Sequence, residues 1–265
     1  MLFTSVFARS PRRDTNVFTP NPHQPGVYQF RDNDRVYIMD VRKVWWVLMD
    51  GIVFDAAQAL VAAARHNNSL SISLLLNYDS SAVDCEAALT TAVFHDSHLV
   101  LPLLLSASGI DVNKYIHGNT ALLWAARFGC CRAMDILLHD PRVDVNVPGL
   151  VGETALHRAV EHGEFRAIDL LLRCPRVQVN ASDYLGQTAL HTALRVYHLG
   201  CAEIILNDPR TDVCVQDNEG KTAMHWAVNT NVLSLAHRMV ERDPRVLTIR
   251  DTAGRLPWNG YSICM

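Results

Sequence analysis

The stretch Gly152-Glu153-Thr154-Ala155-Leu156-His157 decides the fold, because versions of it recur along the chain. Gly118, Gly152, Gly186, Gly220 and Gly254 stand at steps of 34. After four of these glycines come Thr120-Ala121-Leu122-Leu123, Thr154-Ala155-Leu156-His157, Thr188-Ala189-Leu190-His191 and Thr222-Ala223-Met224-His225. Alanines 125, 159, 193 and 227 keep the same phase, and so do Leu137-Leu138, Leu171-Leu172, Ile205-Leu206 and Met239-Val240. Several features in one register identify a structural repeat rather than a chance match.

One unit reads as follows. Thr154 stands where a helix N-cap belongs, its hydroxyl free to accept from exposed backbone N–H groups. Ala155, Leu156, Ala159 and Val160 make one face of a short helix, and the small alanines let neighbouring units approach closely. A left-handed residue should follow, filled along the chain by Asn67, Asp96, Gly129, Gly163, Tyr197 and Asn231. Tyr197 is the poor fit, and the expectation is a turn rebuilt around Gly200. A second helix then turns Ile168, Leu171 and Leu172 inward, and an extended stretch with Val177 and Val179 leads to the next turn. Asp183, Asp217 and Asp251 suit the start of a tight turn, where a carboxylate bonds nearby N–H groups.

This pattern resembles the ankyrin family, whose signature is G-x-T-P-L-H-x-A followed by L-L and V-N. Alanine replaces the usual proline, which a helix accepts readily. Asp140-Pro141-Arg142, Cys174-Pro175-Arg176 and Asp208-Pro209-Arg210 lengthen the unit by one residue to 34, as in fungal members of the family. Two degenerate units lie upstream, Ala88-Leu89 to Leu104-Leu105 and Ala59-Leu60-Val61 to Leu75-Leu76, joined by a shortened loop around Tyr78 to Val83. Six full or nearly full units are expected from Ile52 to Ala253, with a half unit from Gly254 to Met265 that has Trp258 in the leucine slot. The resemblance implies an all-α solenoid of helix-turn-helix units with short finger turns.

Residues before about Asp50 do not fit the repeat. Val27 to Phe30 and Arg35 to Met39 predict a hairpin, and Val41 to Met49, with Trp45 and Trp46, is expected to start a helix. A repeat stack needs a covered end, so residues 1–50 are read as a tail and cap and 51–265 as the repeat domain. A degenerate F-box-like helix in that segment is the sharper alternative.

The composition is that of a folded chain, 49% hydrophobic and 19% charged. A net charge of −3 argues against general nucleic-acid binding, and no apolar run approaches membrane length. Seven scattered cysteines form no CxxC pair, so metal spacing is absent and reduced thiols in the cytoplasm or nucleus are expected. Residues 1–13, with Arg9, Arg12 and Arg13 and no acid, leave mitochondrial targeting open.

His157, His191 and His225 invite a catalytic reading, but the resemblance assigns them to tying adjacent units through threonine and backbone. No nucleotide loop, HExxH or Ser-His-Asp order occurs, so no catalytic residue, metal or cofactor is expected. The resemblance places partners on the finger turns and the concave face of the first helices. Register then selects the tips Leu150, Val151, Tyr184 and Leu185, beside Asn218 and Glu219. The concave lines are Trp124, Arg158, Thr192 and Trp226; Arg127, Glu161, Arg195 and Asn229; and Phe128, His162, Val196 and Thr230. Aromatic residues and arginine are enriched at binding hot spots. The expected function is therefore a protein-binding scaffold. Two alternatives stand beside it: a small-molecule binder or enzyme using Trp124, Trp226, His162 and Arg195, and a ubiquitin-ligase adaptor. The chain is read as a monomer, or as weakly self-associating through Leu233, Leu235, Met239 and Val240 at an uncovered C-terminal end.

Overall fold

Each threonine expected to begin a helix does so. The computed structural model describes residues 19–20, 27–32, 35–40, 45–48, 53–54, 56–78 and 84–258. Residues 1–13, the loop over 79–83 and the end of the last half unit lie outside the described residues. The chain divides into two compact units, residues 1–110 and 111–265.

The first unit opens with a five-stranded antiparallel sheet in chain order: β1 (Thr19–Pro20), β2 (Val27–Asp32), β3 (Arg35–Asp40), β4 (Trp45–Leu48) and β5 (Val53–Phe54). The expected hairpin is present, with β2 and β3 in register from Val27↔Asp40 to Asp32↔Arg35. The helix expected over Val41 to Met49 is not. Trp45–Leu48 is a strand, paired Ile38↔Val47 and Met39↔Trp46. Trp-Trp-Val-Leu is a short aromatic and β-branched run with a ready edge beside it, and such runs fit a pleated surface better than a lone helical turn. The adaptor reading thereby loses its helix. Two helix pairs follow, α1 (Ala56–Arg65) with α2 (Ser69–Tyr78) and α3 (Cys85–Phe94) with α4 (Leu101–Leu105). α1 packs on α3 and α2 on α4, while β4 and β5 run beside α1. Leu60, Ile72, Leu89, Leu101 and Leu104 fill this core.

The second unit holds four pairs: α5 (Ala121–Phe128) and α6 (Cys131–His139), α7 (Ala155–Glu161) and α8 (Phe165–Arg173), α9 (Ala189–Arg195) and α10 (Leu199–Asn207), α11 (Ala223–Asn229) and α12 (Leu233–Arg242). With the two pairs upstream, the described residues hold the six expected. First helices pack on first helices and second on second. Ala125, Ala159, Ala193 and Ala227 are fully buried, so the small side chain is what sets the close approach.

Side-chain bonds of recurring form join successive repeats. Asn113 Nδ2 donates to the Arg142 carbonyl at 2.9 Å while its Oδ1 accepts from Asp144 N at 2.9 Å. Asn146 bonds Arg176 and Gln178 in the same way, and Asn180 bonds Arg210 and Asp212. The inserted arginines act at the other end of the second helices. Arg176 donates to the carbonyls of Leu138 and Val143 at 2.7 and 2.8 Å, and Arg210 to those of Leu172 and Val177 at 2.5 and 3.3 Å. Arg242, the last residue of α12 and not an insert, does the same with Leu206 and Asp208 at 2.8 and 2.7 Å. A guanidinium is well suited to helix C-terminal carbonyls that lack intrahelical partners.

All six residues expected to be left-handed are so, including Tyr197 at φ +63°. The turn there is not rebuilt: Gly200 lies inside α10, and Tyr197 itself takes the strained conformation. At the C-terminal end, Leu235 and Met239 are buried, because the 3-10 turn Pro244–Thr248 packs on α12 with Val246 fully buried. The uncovered surface expected there reduces largely to Leu233, which is 44% exposed. Among the described residues, no helix is long and apolar enough to cross a membrane.

Candidate partner-binding face

The finger turns are built on the second unit's repeats by a short hydrogen-bond code. Asp183 Oδ1 accepts from Leu185 N at 2.9 Å and Gln187 N at 2.8 Å, as an aspartate opening a tight turn should. Asp217 and Asp251 repeat this. Gly149 stands in the aspartate's place one repeat earlier, and there the Glu153 carboxylate accepts from Val151 N at 2.8 Å instead. A Cβ at Gly149 would collide with that carboxylate at 2.4 Å, so the glycine and the glutamate substitute together.

Successive fingers are bonded to each other. Tyr184 N donates to the Val151 carbonyl at 3.1 Å, Asn218 N to Leu185 at 2.9 Å and Thr252 N to Glu219 at 2.9 Å. Gly152 and Gly186 are left-handed at φ +84° and +74°, and a Cβ at either would lie 2.7 Å from the next finger's backbone nitrogen. Glycine is required by both conformation and space. On this ladder the four apolar tips stand out in solvent: Leu150 is 70% exposed, Val151 60%, Tyr184 68% and Leu185 61%. Loop tips of a folded chain are ordinarily polar, and contiguous exposed apolar surface marks contact sites.

The first-helix face beside the fingers is more varied. Trp124 and Phe128 stack at 5.6 Å with planes 5° apart, and Arg127 places its guanidinium 5.6 Å from both rings. The Trp124 indole N–H donates to the Ile116 carbonyl at 3.1 Å, which fixes that ring. Arg158 is ion-paired with the buried Glu153 and reaches Glu161 at 3.4 Å. Arg195 Nε donates to Gln187 Oε1 at 3.0 Å. Trp226 donates to Asp217 Oδ2 at 3.2 Å, and Lys221 Nζ lies 5.2 Å from its ring centre. His162 is exposed. Thr192 does not join this face: it is 3% exposed, packed into the frame. The polar groups of Trp124, Trp226 and Arg195 are each bonded within their own repeat and do not converge on one point.

Sequence reasoning missed the line Asn119, Glu153, Gln187 and Lys221, the residues just before each capping threonine. Glu153 and Gln187 hold Arg158 and Arg195 in place and Lys221 lies over the Trp226 ring, while the Asn119 amide oxygen does not bond Arg127. Their shared register, one position ahead of the motif, was the available signal. Tyr115 was also missed; it is half exposed and its hydroxyl donates to the Pro148 carbonyl at 2.6 Å.

The three histidines are structural. His157 Nδ1 accepts from Thr154 N at 3.2 Å, and its Nε2–H donates to the Gln187 carbonyl of the next repeat at 2.9 Å. The carbonyl can only accept, which fixes the proton on Nε2. His191 and His225 repeat this with the Lys221 and Arg255 carbonyls at 3.2 Å. Burial is the main cause lowering the pKa of all three. Neither ring nitrogen is left for a metal or a substrate.

Comparisons with known proteins agree with the geometry. The family profile for ankyrin repeats in three copies matches residues 117–183 and 156–247. The fold is similar to the ankyrin repeat domain of Bcl-3, described as a unique member of the IkappaB protein family, at 22% identity and TM-score 0.69 over 77% of this chain and 93% of that one. It is similar too to EF0377, an ankyrin repeat protein, at 23% identity and TM-score 0.60 over 71% and 99%. No curated protein sequence matches.

Proposed function

Because the chain is an ankyrin-repeat protein, its repeats matched over residues 117–247 and its fold shared with solved ankyrin-repeat structures, we propose that it is an interaction scaffold that holds another protein. Ankyrin repeats are in general protein–protein interaction modules, and the reading of this chain's site rests on one observation. Four large apolar side chains, Leu150, Val151, Tyr184 and Leu185, stand exposed on fingers that are hydrogen-bonded into a fixed ladder. A rigid platform loses little conformational entropy on binding, so exposed apolar area there converts efficiently into affinity.

The contact site is read as those four tips with Trp124, Arg127, Phe128, Arg158, Glu161, His162, Arg195 and Trp226 on the adjoining helices. Leu150, Val151, Tyr184, Leu185 and Trp124 form its centre, with the aromatic Tyr184 and Trp124 as the anchors that carry most interface energy. Arg158 is held by Glu153 and contributes chiefly shape. Residues 1–50 are proposed as the segment that covers the first repeat, in keeping with β4 and β5 beside α1. The described residues form no disulfide, which suits a reducing compartment, the cytoplasm or nucleus.

The test is a pull-down from lysate of the source organism, comparing the wild-type chain with Tyr184→Ser/Leu185→Ser. Both side chains are more than half exposed, so the melting temperature should stay nearly unchanged. A protein captured by the wild type and lost by the double variant supports the scaffold and its site. Equal capture by both chains sinks the site, and co-purification of a small molecule with no protein sinks the scaffold.

A further inference from the structure

Arg127 differs from the other cations of this face. Arg158 is neutralised by Glu153 and Glu161, Lys221 by Glu219 at 2.5 Å, and Arg255 by Asp251 at 2.8 Å. Arg195 is bonded by the Gln187 amide at 3.0 Å. Arg127 Nε is buried with no hydrogen-bond partner, and among the described residues no carboxylate pairs with it. Its guanidinium lies beside the faces of Trp124 and Phe128.

The repeat explains the vacancy. Asn119 occupies the register of Gln187, and Arg127 that of Arg195. Asparagine is one methylene shorter than glutamine, so the amide does not reach. Asn119 is only 4% exposed, and its Oδ1 is buried without a partner as well. Two buried polar atoms are thus left unpaired at one repeat where the equivalent pair is bonded two repeats on. A buried unpaired donor costs roughly 1–3 kcal/mol, more when charged. Both atoms are closed to solvent, as is Arg158 Nε, so they mark the missing internal bond; the terminal nitrogens of Arg127 are not among the closed atoms and are what a ligand can reach.

We propose that the bound protein presents a carboxylate to Arg127, from an Asp or Glu side chain in an extended acidic and apolar segment whose apolar residues lie on Leu150, Val151, Tyr184 and Leu185. The guanidinium is planar, lies 5.6 Å from each ring of the Trp124–Phe128 stack and has no acid of the described residues paired with it, so its terminal nitrogens can accept a carboxylate through two parallel hydrogen bonds. The uncompensated positive charge sets the sign of the partner, and the finger tips set its apolar neighbours. This rests on the scaffold reading and adds the chemistry of the partner to it.

The experiment is selection of a phage-displayed library of random peptides on the full-length chain. Enriched peptides should carry Asp or Glu beside apolar residues. Synthetic copies should bind Arg127→Gln about 10- to 100-fold more weakly, the loss of one charge-assisted contact. Asn119→Gln is the second variant, because it leaves Arg127 and the net charge intact. It supplies the missing methylene, lets the amide bond Arg127 as Gln187 bonds Arg195, and should weaken the same peptides severalfold without lowering the melting temperature. Peptides without acidic preference that still depend on Tyr184 and Leu185 would overturn the carboxylate and leave the scaffold standing. So would a second copy as occupant, seen as a dimer that Arg127→Gln disperses. Enrichment of no peptide at all would overturn both.

Discussion

The repeats that begin at Gly118 and Gly186 occupy the same register two steps apart and are put to different use. In the later one, Asp183 closes the finger, His191 ties Thr188 to the next repeat, and Gln187 bonds Arg195. In the earlier one the same places hold Tyr115, Leu123 and Asn119. The turn tightens to Ile116–Asn119 with His117 and Gly118 both left-handed, Leu123 makes no tie, and Arg127 is left unbonded. Trp124 stands half-buried on the surface where Thr192 is packed away. The difference teaches that frame and surface draw on the same positions. A repeat that fills them with framing residues binds its neighbour, and one that fills them with aromatics offers a face.

The largest expected effect comes from acid, because it acts on every tie at once. Burial lowers the folded pKa of His157, His191 and His225 below their ordinary value of 6.5. The unfolded chain therefore takes up protons first as pH falls below that value. Stability is full above pH 6.5 and declines as pH drops from there toward the folded pKa values. The slope is at most about 1.4 kcal/mol per pH unit for each histidine. Urea midpoints at pH 7.5 and 5.5 measure it. A chain equally stable at both would mean the rings are protonated or solvated when folded.

Making the later repeat like the earlier one tests a single tie. His191→Leu copies Leu123 and leaves Thr188 N–H and the Lys221 carbonyl without their partner. The expected loss is about 2–3 kcal/mol, near the cost of two buried polar groups left unpaired. The acid dependence should shrink by one histidine's share in the same measurement. Loss of stability with an unchanged pH slope would show that packing, not the tie, is what His191 supplies. Asp183→Ala acts at the surface of the same repeat and removes two bonds to exposed or half-buried backbone. About 1 kcal/mol is expected, with amide exchange rising at Leu185 and Gln187. Protection unchanged at those amides would assign the finger's shape to Gly186 and the ladder alone.

The sequence showed the frame because framing positions repeat and surface positions do not. Glycine, threonine, alanine and the leucine pair each recur at fixed phase: the threonines cap, the alanines are buried, and the first member of each leucine pair is buried, while Leu138, Leu172 and Val240 are only half-buried. The sheet before α1 repeats nothing, so Trp45 and Trp46 were weighed alone, and a short apolar run carries no period to tell strand from helix. At the site, exposure of Leu150, Val151, Tyr184 and Leu185 was legible because apolar residues at turns contradict the usual turn chemistry. The ion pair of Arg158 with Glu153 was not, although Gly149 in an aspartate's place already required another carboxylate nearby. Thr192 was misplaced because a threonine gives no hint of which side it faces.

The smallest effect concerns Tyr197, the poorest fit by residue type among the left-handed positions between the helices of a pair. Gly129, Gly163 and Asn231 take φ of +63°, +71° and +59° at this place, and Tyr197 takes +63° with its side chain 59% exposed. A residue with a Cβ that carries a bulky aromatic ring is strained there by about 1–2 kcal/mol relative to glycine. Tyr197→Gly removes that strain and the little burial the ring has, while giving the unfolded chain more freedom by roughly 0.5–1 kcal/mol. The balance is a gain of about 0.5–1 kcal/mol, read as a small rise in the urea midpoint. At the other three positions the gain is already present or unneeded, so the variant sharpens the comparison between repeats: it makes the Gly186 repeat more regular. A fall in stability instead would mean that the exposed Tyr197 ring is held by contacts worth more than the strain, which would place it with the aromatic surface residues rather than with the frame.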